Sequence, residues 1–386
     1  MDLPGDHNRF RVGGEVDYIM ILFANPKAQY DNLASDIKGA LHTVLESGRY
    51  LSGEEVRQFE EEFAAFVGMA HCVAVGSGTQ ALQIGLMALG VGPGDEVITP
   101  SHTASATVTA IIMAGAIPVL VDIEENSYCL DLAQVQSAIT DKTRVILPVH
   151  LYGHPADMVP LMELAKDASL YVVEDCAQAH GASYDSCRVG SFGSVSCFSF
   201  YPTKNLGALG DAGAVLFRTE ELALRARAIR EYGWTKKFYS EMSGVNGRMD
   251  SIQAAVLRLK LNHLVASNDA RRKIAGRYDE ALEHSSLVVP KAASNCRHVY
   301  HQYVVRSSRR DALRTYLEDR GIQTGVHYPF AVHQQPGYKE QVSIPHKLTT
   351  TEKMVKEVLS LPIYPELSDC DVDFVVDSIQ QFWDLQ

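Results

Sequence analysis

The stretch Cys197-Phe198-Ser199-Phe200-Tyr201-Pro202-Thr203-Lys204-Asn205-Leu206-Gly207-Ala208-Leu209-Gly210-Asp211 leaves an apolar run that begins at Val195 and enters a loop punctuated by proline and glycine. A short distance upstream, Tyr171-Val172-Val173-Glu174-Asp175 is another apolar run, closed by two acids. Two buried strands of this kind bring a carboxylate, a hydroxyl and an amine to one edge of a sheet. Together these groups suit both ends of pyridoxal phosphate. Lys204 is the candidate Schiff-base lysine. Asp175 is placed to keep the pyridinium nitrogen protonated, and Ser199 to donate to the phosphate. Taken singly, each has a plainer alternative: a solvated surface lysine for Lys204 and a strand-end cap for Asp175.

Working outward, strands alternate with helices. Cys72-Val73-Ala74-Val75 reads as a short buried strand broken at Gly76-Ser77-Gly78-Thr79, after which Ala81, Leu82, Ile84, Leu86 and Met87 continue as an apolar helix to about Gly90. Further strands are predicted over 96–99, 118–122, 144–149, 171–175, 195–199 and 214–217, with a helix over 103–115. This alternation predicts a largely parallel sheet covered on both faces. A glycine turn opening a helix aims backbone amides and the positive end of the helix dipole at an anion, so Gly78 and Thr79 are candidate phosphate ligands. The alternative there is an ordinary strand–helix turn with a Ser or Thr cap.

Beyond Asn246 the pattern changes. A long amphipathic helix is expected over 249–284, a strand over 300–306, a helix over 309–320 ended by Gly321, and a closing helix over 369–383. The expected organisation is a polar, mobile segment over 1–17, a large domain over 18–260 and a smaller C-terminal α/β domain over 261–386.

A chain of 386 residues is long for one core, which agrees with two bodies. A hydrophobic content of 46% with 21% charged residues is ordinary for a globular enzyme. The net charge of −12 has no basic stretch to offset it, which argues against nucleic acid as a partner. The seven cysteines are scattered and contain no Cys-x-x-Cys pair. That usage, with neither a signal pattern nor a long apolar window, points to the cytoplasm rather than secretion or a membrane. No histidine or acid pair has metal-ligand spacing, so no metal is expected.

Phe198 to Gly207 and Glu174-Asp175-Cys176-Ala177-Gln178-Ala179-His180-Gly181-Ala182 resemble two signature segments of the DegT/DnrJ/EryC1/StrS aminotransferases. Gly78-Thr79-Gln80-Ala81-Leu82 with Gly94-Asp95-Glu96-Val97-Ile98, and Asn246-Gly247-Arg248-Met249-Asp250-Ser251-Ile252-Gln253, match further segments in the same order. The resemblance implies an α/β fold-type-I architecture and transamination of a nucleotide-linked keto-sugar. The implied substrate is a dTDP- or UDP-linked 3-keto hexose and the amino donor L-glutamate. It further implies that Gly78, Thr79 and Ser199 bind the phosphate, Asp175 the ring nitrogen and Gln178 the ring hydroxyl, while Ala177 packs on one ring face. Asn246 would complete the phosphate cup of the opposite protomer in a homodimer.

Ala104 departs from the family, which places an aromatic residue over the ring at that position. His102 and His180 are the candidates to stack in its place, or the face is open to substrate. The lysine position is intact, which favours amination over dehydration. His327 and Tyr328, in Gly325-Val326-His327-Tyr328-Pro329, resemble a segment lining the sugar pocket, whereas His301 and His333 are equally well read as structural. Alternatives left open are a 4-keto substrate, dehydration or aminoshikimate-type chemistry on the same scaffold, and a non-catalytic regulatory protein.

Overall fold

The computed structural model describes residues 9–11 and 17–384. Most of the expected mobile segment, residues 1–8 and 12–16, lies outside the described residues. Within the rest of it, Arg9–Arg11 pairs antiparallel with Asp17–Ile19.

Seven strands build the central sheet: β1 (His71–Val75), β2 (Glu96–Pro100), β3 (Ile117–Val121), β4 (Thr143–Ile146), β5 (Tyr171–Asp175), β6 (Val195–Ser199) and β7 (Gly213–Phe217). Their order across the sheet is β1-β7-β6-β5-β4-β2-β3. Neighbours from β6 to β3 pair in parallel, whereas β7 runs antiparallel to both β6 and β1. Strands such as Gly213–Phe217 are buried at every position, because helices cover both faces and leave no solvent side to alternate with.

On one face, α1 (Pro26–Ser47) and α2 (Glu54–Val67) pack against the helix Ser251–Leu261. Beneath them Phe63 meets Phe198 and Phe200 edge-on, with centroids at 4.9 and 5.2 Å. Truncating one such phenylalanine to alanine costs about 3–5 kcal/mol. On the other face α3 (Gly78–Ala88) lies against the sheet, with Ala81, Leu82, Ile84 and Leu86 all in the core.

A third core joins Ile274, Tyr278 and Leu282 to the antiparallel pair Tyr303–Arg306 and Val358–Leu361 and to the closing helix Asp369–Asp384.

Two sequence expectations are corrected here. The helix expected over 249–284 is two helices, Ser251–Leu261 and Leu264–Leu282. At the junction the His263 amide reaches back three residues to the Lys260 carbonyl (3.0 Å), and the Asn262 side chain takes the Arg258 carbonyl (3.3 Å). The first helix buries Ala254 and Leu257 against the phenylalanine core, and the second buries Ile274 and Tyr278 in the third core. One straight rod cannot serve both. The strand expected over 300–306 is paired only over Tyr303–Arg306, because Tyr300 turns at a φ of 43° and His301 points to Asn205.

Candidate active site

The carboxyl ends of the parallel strands and the amino end of β7 meet at one edge of the sheet, the usual place for a ligand in this architecture. β5 delivers Asp175 there. Its amide donates to Pro148 O (2.9 Å), and its carbonyl accepts from the His150 amide (3.1 Å), so the backbone beneath the carboxylate is held on both sides. The side chain is buried, 4% exposed. Oδ1 accepts from the Ala177 amide (3.1 Å) and Oδ2 from Thr107 Oγ1 (2.9 Å). Burial pushes the carboxyl up from its ordinary range, opposed by those two hydrogen bonds and by the charge of Lys204. Because the Thr107 proton goes to Asp175, Thr103 Oγ1 donates to Thr107 Oγ1 at 2.9 Å.

β6 ends on Ser199, and the chain reaches β7 through the loop that carries Lys204. The Lys204 amide donates to Tyr201 O (2.8 Å), while Ala208 N to Phe200 O and Phe200 N to Ala212 O, both 2.8 Å, close the loop's base. Desolvation pulls the Lys204 amine down to about 8, with Asp175 as the opposing charge.

Opposite Ser199 stands the start of α3. Ser77 caps the helix by accepting from the Gln80 amide (3.2 Å), which leaves the amides of Gly78 and Thr79 at its tip. A Cβ at Gly78 would lie 2.6 Å from Ser199 Cβ, so glycine there lets the helix tip and the serine approach one another.

On the far side Gln178 Oε1 accepts from the Tyr152 amide (2.7 Å), and Gln178 Nε2 donates to Tyr328 Oη (3.1 Å). The Tyr152 hydroxyl donates to the His327 carbonyl, which leaves His102 Nε2 to donate to Tyr152 Oη at 2.8 Å. The His327 ring stacks on Phe23 at 5.2 Å, and its Nδ1 meets Ser360 Oγ at 3.0 Å. Burial holds His102 and His327 down at about 4, and it pushes the Tyr328 phenol up to about 12. Beside Tyr328 a cleft of about 590 Å³ opens between the helix α4 (Ser105–Met113) and the segment after Pro329.

The structure therefore brings together Gly78, Thr79, Asp175, Gln178, Ser199, Lys204 and Tyr328. Asn246 is exposed, and its carbonyl accepts from Gln80 Nε2 of α3 (3.1 Å). Of the two histidines considered in place of an aromatic at Ala104, His180 is buried against Phe198 and Phe200 (5.5 and 5.6 Å), on the phenylalanine side of the sheet. His333 binds Ser101 Oγ at 2.7 Å.

The motif matches extend over most of the chain. The DegT/DnrJ/EryC1/StrS aminotransferase family model covers residues 31–380. This chain belongs to that family. It is 46% identical over 361 residues to the dTDP-3-amino-3,4,6-trideoxy-alpha-D-glucose transaminase of Streptomyces venezuelae, across 93% of this chain and 95% of that protein. The crystal structure of S. venezuelae DesV in complex with a ketimine intermediate superposes with a TM-score of 0.91 at 46% identity, covering 94% of this chain and 98% of DesV. NtdA of Bacillus subtilis with bound cofactor PMP superposes with a TM-score of 0.87 at 32% identity, covering 97% and 88%.

The residues fit the cofactor of a DegT/DnrJ/EryC1/StrS aminotransferase. A buried carboxylate suits a protonated ring nitrogen, the α3 tip with Ser199 suits a phosphate, and an amine lowered to about 8 suits an aldehyde. Sequence reasoning missed Thr107, Thr103 and Tyr152. No local signal marks them, since Thr107 meets Asp175 across 68 residues of sequence. His150, Glu174 and Cys176 also cluster in the interior. His150 Nε2 donates to Glu174 Oε2 (3.1 Å) and His150 Nδ1 accepts from the Ala156 amide (3.0 Å). Glu174 further accepts the amides of Gly190, Phe192 and Gly193 (2.7, 2.9 and 2.7 Å), so its oxygens and the histidine are engaged without an ion.

Proposed function

We propose that this chain transfers an amino group to a nucleotide-linked keto-sugar, taking it from an amino acid, L-glutamate, through pyridoxal phosphate. The observation that carries the reading is the convergence of Asp175, Ser199, Lys204 and the α3 tip at one sheet edge. The similarity to a dTDP-sugar transaminase supports the substrate class, a dTDP- or UDP-linked 3-keto hexose.

Bound pyridoxal phosphate supplies an electron sink that makes the proton on the donor's α carbon removable. The protein's own groups do the rest. Asp175 holds a positive charge at the ring nitrogen, and Gly78, Thr79 and Ser199 hold the phosphate. Lys204 Nζ takes the proton from the donor's α carbon and, in the second half, delivers one to the sugar's former carbonyl carbon. Donor and sugar use one site in turn, so the kinetics are ping-pong. The open cleft gives a bulky sugar nucleotide room, with Tyr328 in its lining and His327 next to it in the chain as the residues to touch the sugar.

The same reading makes the protein a cytoplasmic homodimer in which Asn246 completes the partner's phosphate cup. All seven cysteines are free thiols, and no helix among the described residues is long and apolar enough to cross a membrane. It also divides the chain into a cofactor-binding body over 18–260 and a smaller one over 261–386.

Incubating the purified holoenzyme with glutamate and a panel of dTDP- and UDP-linked 3-keto and 4-keto sugars tests the proposal. Amino-sugar should form from a 3-keto member. Borohydride reduction of the holoenzyme followed by peptide mapping should label Lys204, and a label on another lysine such as Lys166 would overturn the site.

A further inference from the structure

The loop that carries Lys204 is tied not only to its own strands. Its carbonyl at Gly207 accepts from Lys260 Nζ at 2.8 Å, across from the helix Ser251–Leu261. Gly207 is itself compressed, since a Cβ there would lie 2.4 Å from Pro202 O. On the next helix, Leu264–Leu282, Asn268 Oδ1 accepts from Asn205 Nδ2 at 2.8 Å, and Asn268 Nδ2 donates to His180 O at 2.8 Å. Asn205, adjacent to Lys204, also donates to Val299 O (3.0 Å) and meets His301 Nδ1 (3.2 Å).

Lys260 is an expensive residue for this position. It is 4% exposed, and desolvation pulls it down to about 8 against the attraction of Glu366. A methionine of similar length would bury its stem without that penalty. What the amine adds is a hydrogen bond to the loop that presents Lys204. Asn268 likewise spends one end of its amide on that loop.

We propose that Lys260 and Asn268 are positioning residues that grip the Lys204 loop from behind and set where the reactive amine stands. The clamp rests on the functional reading above, in which Lys204 is the amine that engages pyridoxal phosphate. The two grips, a donor at Lys260 and an acceptor at Asn268, come from the two helices on either side of the break at Asn262-His263, so that break places both side chains within reach of one loop.

The test compares the parent protein with Lys260→Met, Lys260→Arg and Asn268→Ala. Four quantities are measured: apo melting temperature, the Kd for pyridoxal phosphate, the pH at which the holoenzyme's visible band titrates, and kcat with sugar KM. Lys260→Met should fold, weaken cofactor binding about tenfold and lower kcat on the order of ten- to a hundredfold, with KM within about twofold. The midpoint of the band titration should move, which a merely structural loss would not produce. Lys260→Arg, which keeps a donor, should recover most of the loss. A folded Lys260→Met protein with the parent's Kd, kcat and titration midpoint would overturn the clamp. Should methionine prevent folding, Asn268→Ala carries the same expectation and the same refuting outcome. If the parent protein does not bind pyridoxal phosphate, the functional reading fails; if the parent binds and the variants match it, the clamp alone fails.

Discussion

Asp175 carries two burdens, a place in the dry interior and a charge. Burial favours its protonated form, and the hydrogen bonds from Ala177 and Thr107 pull the other way. Asp175→Asn keeps the shape and loses the charge, so kcat should fall on the order of a hundredfold or more with little change in melting temperature. Near-normal half-reaction rates with glutamate would reduce Asp175 to a strand cap. Thr107→Val removes a donor that favours the carboxylate, so the carboxyl rises further. The acid limb of the kcat/KM profile should then move to higher pH, and an unmoved limb would exclude Thr107 from the site. Lys260 has a stability consequence of its own. Its folded value, about 8, lies below the ordinary 10.5, so the folded state binds the proton less well than the unfolded one. The penalty is therefore fully present below pH 8 and relieved as pH rises to 10.5, by about 3 kcal/mol. Urea unfolding of the apoprotein at pH 7.5 and 10 should show Lys260→Met gaining less on going alkaline than the parent.

At the scale of elements, the α3 tip and the β6–β7 loop act as one cradle because both begin where their strands stop. Gly78→Ala should weaken cofactor affinity at least tenfold, since the new Cβ would press on Ser199 Cβ and part the helix from the serine. Titration of the apoprotein with pyridoxal phosphate measures this, and an unchanged Kd would remove the α3 tip from the site. The strands and α3 were legible from apolar runs bounded by glycine, because a sheet covered on both faces demands such runs. The break at Asn262-His263 was not legible. Apolar residues recur on helical turns through both pieces, and only the separate cores they meet show that the axis must change.

For the whole molecule, the decisive question is whether sites are shared between chains. Asn246 is exposed and touches α3 of its own chain through its carbonyl, which leaves its side chain available to a second copy. In a homodimer with shared sites, mixing Lys204→Ala with Asn246→Asp chains would give heterodimers in which one site has both lesions and the other has neither. Activity should reappear on mixing, and verified subunit exchange without recovery would mean that Asn246 does not serve a partner. By itself the sequence determined the alternating strand and helix order, the lysine loop, the strand-end acid and the glycine turn, because each is a local pattern set by backbone sterics and burial. Only the tertiary structure decided that Thr107 supports Asp175, that Gln178 joins Tyr152 to Tyr328, and that Lys260 and Asn268 hold the Lys204 loop. Those contacts join residues far apart in the chain, and a side chain's partner across the fold leaves no mark on its neighbours in sequence.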